Sequence, residues 1–414
     1  MLEHRSESKP LRVLIASTGI YPPTVDVTGV KWVLEFARRV QAEGHDVTVV
    51  SDSGPTSDDR AAWVEQEVER SGLRTTYVRL ARARNTGARL ATWTLAMPAE
   101  IGIRGLLRSA SRFDVLHVFA SSPLALAALP LARPAVNRIG LSLITCNTNP
   151  WHAWFGRLAL RAIRPHFLTA ATRQSVARWQ TAAPSVAVTR MPLGIDPDIV
   201  RPSAARESFR EVFNIPPDAV VVLYLNPLRR TKGIRVFLDA MDTVLRQTPE
   251  AFALIVSAKR RDGESQRWRR RIGRTRWTAG GRMQLGERTI LPVANVLHAC
   301  DLFVLPEVES HGTFEHPAVL LEAMAMGLPC VATQRDGTAE CLEVGPAGQL
   351  VPRGSHPGLA RAIVGLISDP HRRHTFGTYA RTNVNAGFHI HNAVDSSVRL
   401  YRSHSPTAPS ANDR

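Results

Sequence analysis

Cysteine is scarce in this chain, with four in 414 residues: Cys146, Cys300, Cys330 and Cys341. None forms a close pair or a zinc-like spacing, which excludes a disulfide scaffold and a zinc ribbon. Each sits in an apolar stretch and reads as a small buried hydrophobe. Long apolar runs are missing too. The stretch "FASSPLALAALPLA" (Phe119–Ala132) is short, holds two prolines and falls below the roughly 20 residues that span a bilayer. The opening "MLEHRSESKPLRVLIAS" is charged and runs into a strand-like segment. It lacks a secretory pattern, so a cytoplasmic location is expected. No Asp-x-Asp metal site stands out, and neither a metal nor a resident cofactor is expected. Acids are outnumbered: Asp and Glu total 36 against 52 Lys and Arg, a formal net charge of +16. That balance favours polyanionic partners, whether nucleic acid, an anionic membrane surface or phosphorylated small molecules, and selects none of them. Arginine far outnumbers lysine, a bias that a GC-rich genome also produces.

What the chain does contain is alternation. "LRVLIASTGIYPP" (Leu11–Pro23) is a hydrophobic strand running into a Pro-containing loop. "VKWVLEFARRVQAEGHDVTVVSD" then gives a helix with apolar Val33, Phe36, Ala37 and Val40, a stop at Gly44 and a second strand. This is a β-α-β unit. Strand signals follow at "TTYVRL", "DVLHVFA" and "LSLITC". The pattern breaks at Pro192, Pro197 and Pro202 and restarts with "AVVVLYLN", "FALIVSA", "DLFVLPE" and "PCVAT". At this length two domains are expected. The fold class is α/β, with two doubly wound Rossmann-like domains facing a central cleft and ligands at the carboxyl ends of the strands. The expected division is an N-terminal domain over 1–200, a linker around 195–207 and a C-terminal domain over 201–390. A C-terminal helix over 391–403 is expected to pack back on the N-domain, followed by a disordered polar tail over 404–414.

Two segments carry candidate chemistry. In "ESHGTFEHPAVLLEAMAMGLPCVAT" (Glu309–Thr333) a polar loop enters an apolar helix, with Pro317 suited to the first helical position and Gly327 to the stop. The amides near Ala318 and Val319 would lack intrahelical partners and form an anion site. Glu315 and Glu322 flank that start; beside an anion site they suit a ligand that also presents hydroxyls. A plain acidic first turn that favours the helix dipole would read the same way. In "LYLNPLRRTKGIRVFLDAM" (Leu223–Met241) a strand ends in a basic loop, Arg229-Arg230-Thr231-Lys232-Gly233. Its cations would stabilise a departing diphosphate; a solvated surface loop looks the same in isolation.

The order "strand–basic loop–KG–helix", then "CDLFVLPE", "PAVLLEAMAMGLPCVAT", "DGTAE" and "GQLVP", resembles retaining nucleotide-sugar glycosyltransferases of family 4, the group 1 glycosyltransferases with the GT-B fold. Upstream, "YPPTVDVTGVKWVLEFARRVQAEGHDVTVV", "DVLHVFA" and "MPLGIDPDIVRP" extend the resemblance over about 11–403. It implies transfer of a sugar from a nucleoside-diphosphate donor to a hydroxyl acceptor, with retention and without metal. By the same resemblance Lys232 holds the donor phosphates, Glu322 the ribose hydroxyls, His117 reaches the donor sugar and Gly29 fills a tight loop below the diphosphate. Arg229, Arg230, Ala318, Val319 and Gly337 complete the donor set, with Glu315 beside His117 and Lys232 as the catalytic group. Taken alone, His117 is also a packed strand histidine and Gly29 a turn glycine.

Several positions depart from the family pattern. The first acid of the glutamate pair belongs at 314, where Phe314 stands and the acid has moved to Glu315. The usual Gly-Arg reads Asn226-Pro227, with Arg229 or Arg230 as the substitute; "Thr-x-His" reads "TCN" (Thr145–Asn147); a Gly-Gly pair reads Asp336-Gly337, followed by Glu340 at its expected place. Each change falls on the donor site, so an unusual donor or weakened catalysis is implied.

"CNTNPWHAWFGRL" (Cys146–Leu158) offers Trp151, His152, Trp154 and Phe155 to a sugar, lipid-linked or small-molecule acceptor, although ordinary packing fits equally. "KRRDGESQRWRRRIGRTRW" (Lys259–Trp277) interleaves arginines with Trp268 and Trp277. It suits anionic headgroups at the inner face of a membrane, and a solvated basic helix suits it as well. Nucleic acid, which would rest on charge and this segment alone, is not the expected partner. A non-catalytic nucleotide-sugar-binding partner subunit, favoured by Phe314 and Pro227, and a GT-B sugar-nucleotide epimerase or hydrolase stand as alternatives.

Overall fold

The computed structural model describes residues 9–17, 27–52, 69–78, 101, 112–120, 128–145, 150–258, 262–287, 293–309 and 314–403. The chain divides into two compact units, one of residues 1–192 with 390–414 and the other of 193–389. The division therefore falls at Pro192, at the near edge of the proline-marked segment, and the last helix belongs to the first unit.

In the first unit, β1 (Arg12–Ser17), α1 (Val27–Ala42) and β2 (Asp46–Asp52) form the opening β-α-β unit. β3 (Arg74–Val78), β4 (Phe113–Ala120), β5 (Val136–Leu143), α2 (Pro150–Ile163), β6 (Phe167–Ala170), α3 (Arg173–Ala182) and β7 (Val188–Arg190) follow. Every strand pairing is parallel, and the order is β3-β2-β1-β4-β5-β6-β7. Strand order reverses between β1 and β4, the place where doubly wound sheets bind ligands. Val33, Phe36, Ala37 and Val40 of α1 are all fully buried, as their spacing requires.

The second unit repeats the scheme. It holds α4 (Arg206–Val212), β8 (Val220–Leu225), α5 (Ile234–Gln247), β9 (Ala251–Ser257), α6 (Gly263–Gly273), α7 (Arg276–Ala279) and β10 (Met283–Glu287). These continue as α8 (Val293–His298), β11 (Leu302–Leu305), α9 (Ala318–Ala325), β12 (Cys330–Thr333), α10 (Asp336–Leu342), β13 (Gly348–Val351), α11 (His356–Ile367) and α12 (Pro370–Gly387). All pairings are parallel in the order β10-β9-β8-β11-β12-β13, with the reversal between β8 and β11. Alternate residues of β8 serve opposite faces of the sheet. Val221, Leu223 and Leu225 join one apolar core, and Val222 and Tyr224 the other. Cys300, Cys330 and Cys341 are buried and unoxidised, and burial raises the thiols of Cys300 and Cys330; Cys146 lies outside the described residues.

The closing helix α13 (Ile390–Arg402) returns to the first unit and packs on α1. There Arg39 Nη1 lies 3.0 Å from His391 Nε2. No described helix is long and apolar enough to cross a membrane. The expected tail over 404–414 lies outside the described residues.

Candidate functional site

Three loops meet at the carboxyl ends of β8, β11 and β12. The loop after β8 is held from below by Tyr224, whose buried hydroxyl donates to the carbonyls of Pro227 (2.9 Å) and Lys232 (3.2 Å). Burial, and then the nearby Glu307 and Glu264 carboxylates, push that phenol well above its usual pKa and keep it a donor. Arg230–Lys232 forms one 3₁₀ turn, ended by Gly233 at φ +76°, a conformation that favours glycine. A Cβ at Gly233 would also stand 1.8 Å from the Pro306 carbonyl oxygen. That close approach lets Val308 and Glu309 donate their amides to Thr231 O at 2.9 and 3.1 Å, which joins the loop after β8 to the loop after β11.

At the junction lies a buried charge cluster. Lys232 Nζ donates to Glu307 Oε1 at 2.6 Å, and Arg335 Nη1 donates to Glu307 Oε2. The Glu307 and Arg335 side chains are 4% and 3% exposed, whereas Lys232 is 21% exposed. The carboxylate thus anchors two cations, one enclosed and one with a route to solvent. Two cations on one carboxylate leave a net positive charge, so the cluster attracts an anion that approaches from the lysine side. Thr333 Oγ1 donates to Glu307 O at 2.7 Å and fixes the backbone from β12.

The loop that precedes α9 is pinned from α10. Arg335 Nη2 donates to Phe314 O at 3.5 Å. A Cβ on Gly337 would stand 1.7 Å from Glu315 O, so the glycine is needed for this backbone contact. His316 Nε2 lies 3.3 Å from Glu340 Oε2, both buried. α9 starts one residue later than its sequence suggests, with Pro317 as the N-cap and no side-chain cap. The Pro317 carbonyl takes the amides of Leu320 and Leu321, so the amides of Ala318 and Val319 precede the first intrahelical bond, as an anion site requires. Glu315 is buried three residues before the helix, Glu322 sits in its second turn, and the first turn holds no acid. Neither carboxylate is therefore a first-turn dipole partner. Gly327, at φ +73°, ends the helix region as its position suggests.

Two contacts tie the basic loop to the start of α6. Arg229 pairs with Asp262 at 3.9 Å, and the Arg230 amide donates to Glu264 Oε1 at 2.8 Å; both acids lie at the start of α6. Asn226, in the place of the family glycine, is 8% exposed, and its Nδ2 has no hydrogen-bond partner among the described residues. In the first unit His117 is fully buried, with Nδ1 2.6 Å from Tyr401 Oη and Nε2 2.6 Å from Ser142 Oγ. Phe36, Phe119 and Phe167 surround its ring, and burial lowers its pKa to about 3. Of the two readings that the sequence allows for His117, this geometry is that of a packed strand histidine: both ring nitrogens are spent inside the unit. Gly29 lies in the first turn of α1 rather than in a loop; the preceding loop over 18–26 lies outside the described residues, as do Cys146 and Asn147 of "TCN". Trp151, His152 and Trp154 share α2, where Trp154 is 54% exposed. The one Asp-x-Asp, Asp196-Pro197-Asp198, caps a turn, with Asp196 Oδ1 accepting from the Asp198 amide. No group of His, Cys, Asp and Glu among the described residues suits a metal ion.

A family model described as "Glycosyltransferase Family 4" matches residues 29–199, and one described as "Glycosyl transferases group 1" matches residues 219–369. The chain belongs to glycosyltransferase family 4. Among its relatives, a phosphatidyl-myo-inositol mannosyltransferase of Mycolicibacterium smegmatis is 26% identical over 268 residues, 63% of this chain and 64% of that protein. The chain thus aligns with just under two thirds of that relative. A D-inositol 3-phosphate glycosyltransferase 2 of Catenulispora acidiphila is 32% identical over 45% of this chain and 44% of its own length. Among solved structures, a glycosyltransferase from Rickettsia africae superposes with TM-score 0.74 at 15% identity, covering 95% of this chain and 98% of that one. Anabaena HepE in complex with UDP and glucose gives 0.70 at 18% identity, covering 95% and 100%. These likenesses establish the two-domain GT-B fold for this family-4 member.

The residues that sequence reasoning missed are Glu307 and Arg335. Their signal was present in "CDLFVLPE", where an acid ends a wholly apolar strand, and in the arginine just before the expected Asp336-Gly337 turn.

Proposed function

We propose that this chain is a glycosyltransferase that moves a sugar from a nucleoside-diphosphate donor to a hydroxyl acceptor, with the donor held by the second unit. The observation that carries the reading is Lys232, a partly open cation anchored on buried Glu307 where three strand-to-helix loops meet. The open amides at the start of α9 supply a second anion-binding element, and Glu322 in its second turn can accept ribose hydroxyls. Such preorganised cations and dipoles replace a metal in neutralising a departing diphosphate. The reading therefore includes metal-independent transfer without a resident cofactor, and front-face attack with retention at the anomeric carbon. Relatives named for phosphatidylinositol and inositol phosphate acceptors favour a polar hydroxyl acceptor, lipid-linked or free, met at α2 with its exposed Trp154. The working place in this reading is the inner face of a membrane, without a span.

A thermal-shift screen against nucleoside diphosphates and their sugars tests the donor, and NMR of the product's anomeric proton, with and without EDTA, tests retention and metal use. Stabilisation by a nucleotide sugar together with acceptor-dependent nucleotide release supports the transferase. Donor binding without turnover on a wide acceptor panel supports a non-catalytic donor-binding subunit instead. That second reading draws on Phe314, half-buried where the family places an acid, and on the Arg229 contact made toward α6. Nucleotide release without acceptor would point to the epimerase or hydrolase chemistry of the same fold. No stabilisation by any nucleotide would remove both donor readings.

A further inference from the structure

The basic segment around α6 has two faces with different duties. Ser265 and Ile272 are buried, and Trp268 and Trp277 pack against the core of the second unit. Trp277 also donates its Nε1 to Asp242 at 2.9 Å and carries the Arg276 and Arg282 guanidinium groups over its ring. The other face is cationic. Arg267, Arg270, Arg271 and Arg274, at helical offsets of zero, three, four and seven, line a hollow of about 530 Å³ with Thr275. All four are exposed. Among the described residues Arg267, Arg270 and Arg274 have no side-chain hydrogen bond or ion pair, and Arg271 reaches Asp239 only at 3.9 Å.

Several other arginines of this unit are paired with acids. Arg206 and Arg210 share Asp301, Arg246 and Arg276 share Asp242, and Arg335 holds Glu307. Like charges three and four residues apart cost a helix a few tenths of a kcal/mol per pair. The dipole recovers part of this for Arg270 and Arg271 in the last turn, but not for Arg267 near the middle. Stability alone therefore does not account for the stripe.

We infer that this arginine-lined hollow seats the phosphates of anionic lipid headgroups and docks the second unit on a membrane surface. Guanidinium forks bind phosphate oxygens in pairs, and four on one helical face match a plane of headgroups. RNA is the poorer fit, because the tryptophans that would stack on bases are turned into the core. The inference supplies a surface for the membrane-face part of the proposed function and is independent of the transfer chemistry.

The test uses the full chain in vesicle flotation, with phosphatidylcholine alone or with phosphatidylglycerol added. Wild-type protein should float only with the anionic vesicles, and salt should weaken the association. Each basic residue near such a surface is worth roughly fivefold in partitioning, so R267Q/R270Q/R274Q should lose about a hundredfold. A control of equal charge, R353Q/R361Q/R399Q, should lose far less. Equal losses in the two variants, or no flotation of wild-type protein, would overturn the inference. So would RNA binding, or saturation by inorganic phosphate, that depends on these arginines while flotation does not. Nucleotide-sugar thermal shifts should be the same in wild-type protein and the arginine variant, which separates failure here from failure of the donor reading.

Discussion

Removing the Glu307 carboxylate tests the central claim about the site. In Glu307→Ala, Arg335 stays enclosed, with its side chain 3% exposed, and loses its carboxylate partner. Lys232, at 21% exposure, turns to solvent and loses less. Removing one partner of a buried ion pair costs about 3–5 kcal/mol, so the second unit should lose that much stability. Glu307→Gln keeps the volume and one acceptor but not the charge and should lose about 1.5–3 kcal/mol, the worth of a hydrogen bond to a charged group. Hydrogen exchange of the amides in β8, β11 and β12 reads this unit alone, which a single melting curve for two units does not. The decisive variant is Glu307→Met with Arg335→Met. It removes both buried charges and should stand closer to wild type than Glu307→Ala, because apolar isosteres of a buried pair are often neutral. A loss under about 1 kcal/mol in Glu307→Ala, or a double variant worse than the single one, would mean that the cluster is solvated and that Glu307 does not anchor Lys232.

Lys232→Ala should lower turnover about 10²–10³-fold, the usual loss for one preorganised charge-stabilising donor; near-normal rates with the donor found by thermal shift would end its assigned role. Stability of the first unit should fall with acid. Buried His117 stays neutral down to about pH 3 while the unfolded chain takes up a proton below about pH 6.5, so its contribution is complete above that value and declines by about 1.4 kcal/mol per pH unit below it. Unfolding measured from pH 8 to 4 should show this slope, and it should weaken in His117→Gln. Gly337→Ala should cost about 1–3 kcal/mol through forced backbone movement and weaken donor binding as well, because the displaced atom is the Glu315 carbonyl. Tyr224→Phe, which strips a donor from the Pro227 and Lys232 carbonyls, should cost about 1–3 kcal/mol and raise donor KM through a looser Lys232 turn.

The fold was legible wherever a strand is buried on both faces, because such strands appear as unbroken apolar runs. β1, β4, β8, β9, β11 and β12 are of that kind. β7 and β10 were not, since "VTR" and "MQLGE" are short and mixed in polarity and owe their extended state to the strands beside them. The site was legible as loops and not as contacts. Lys232, Glu315 and Ala318 lie at the strand-to-helix connections that their segments suggested. His117 kept two readings because alternation along β4 says that a side chain faces one side of the sheet, without saying which side is filled. Only the fold shows that Phe36 of α1 and Tyr401 of α13, 284 residues away, close over it.

Glu307 marks the same limit from the other direction. In the sequence it is an acid at the end of an apolar strand, a local signal that does not name the side chains that enclose it. Its burial is set by partners 75 residues before it and 28 after it. One of those partners, Arg335, also reaches the loop that carries Glu315. Phe314 offers its carbonyl to Arg335, and Glu315 sets its own against Gly337. Consecutive peptide units of this loop are thus held from α10. Phe314 and Glu315 thus share one packed site with a carboxylate that already occupies Lys232. A donor entering this site must either share that lysine with Glu307 or draw it away. Glu307 is therefore the residue through which donor affinity, and the choice between a transferase and a binding subunit, should be most sensitive to substitution.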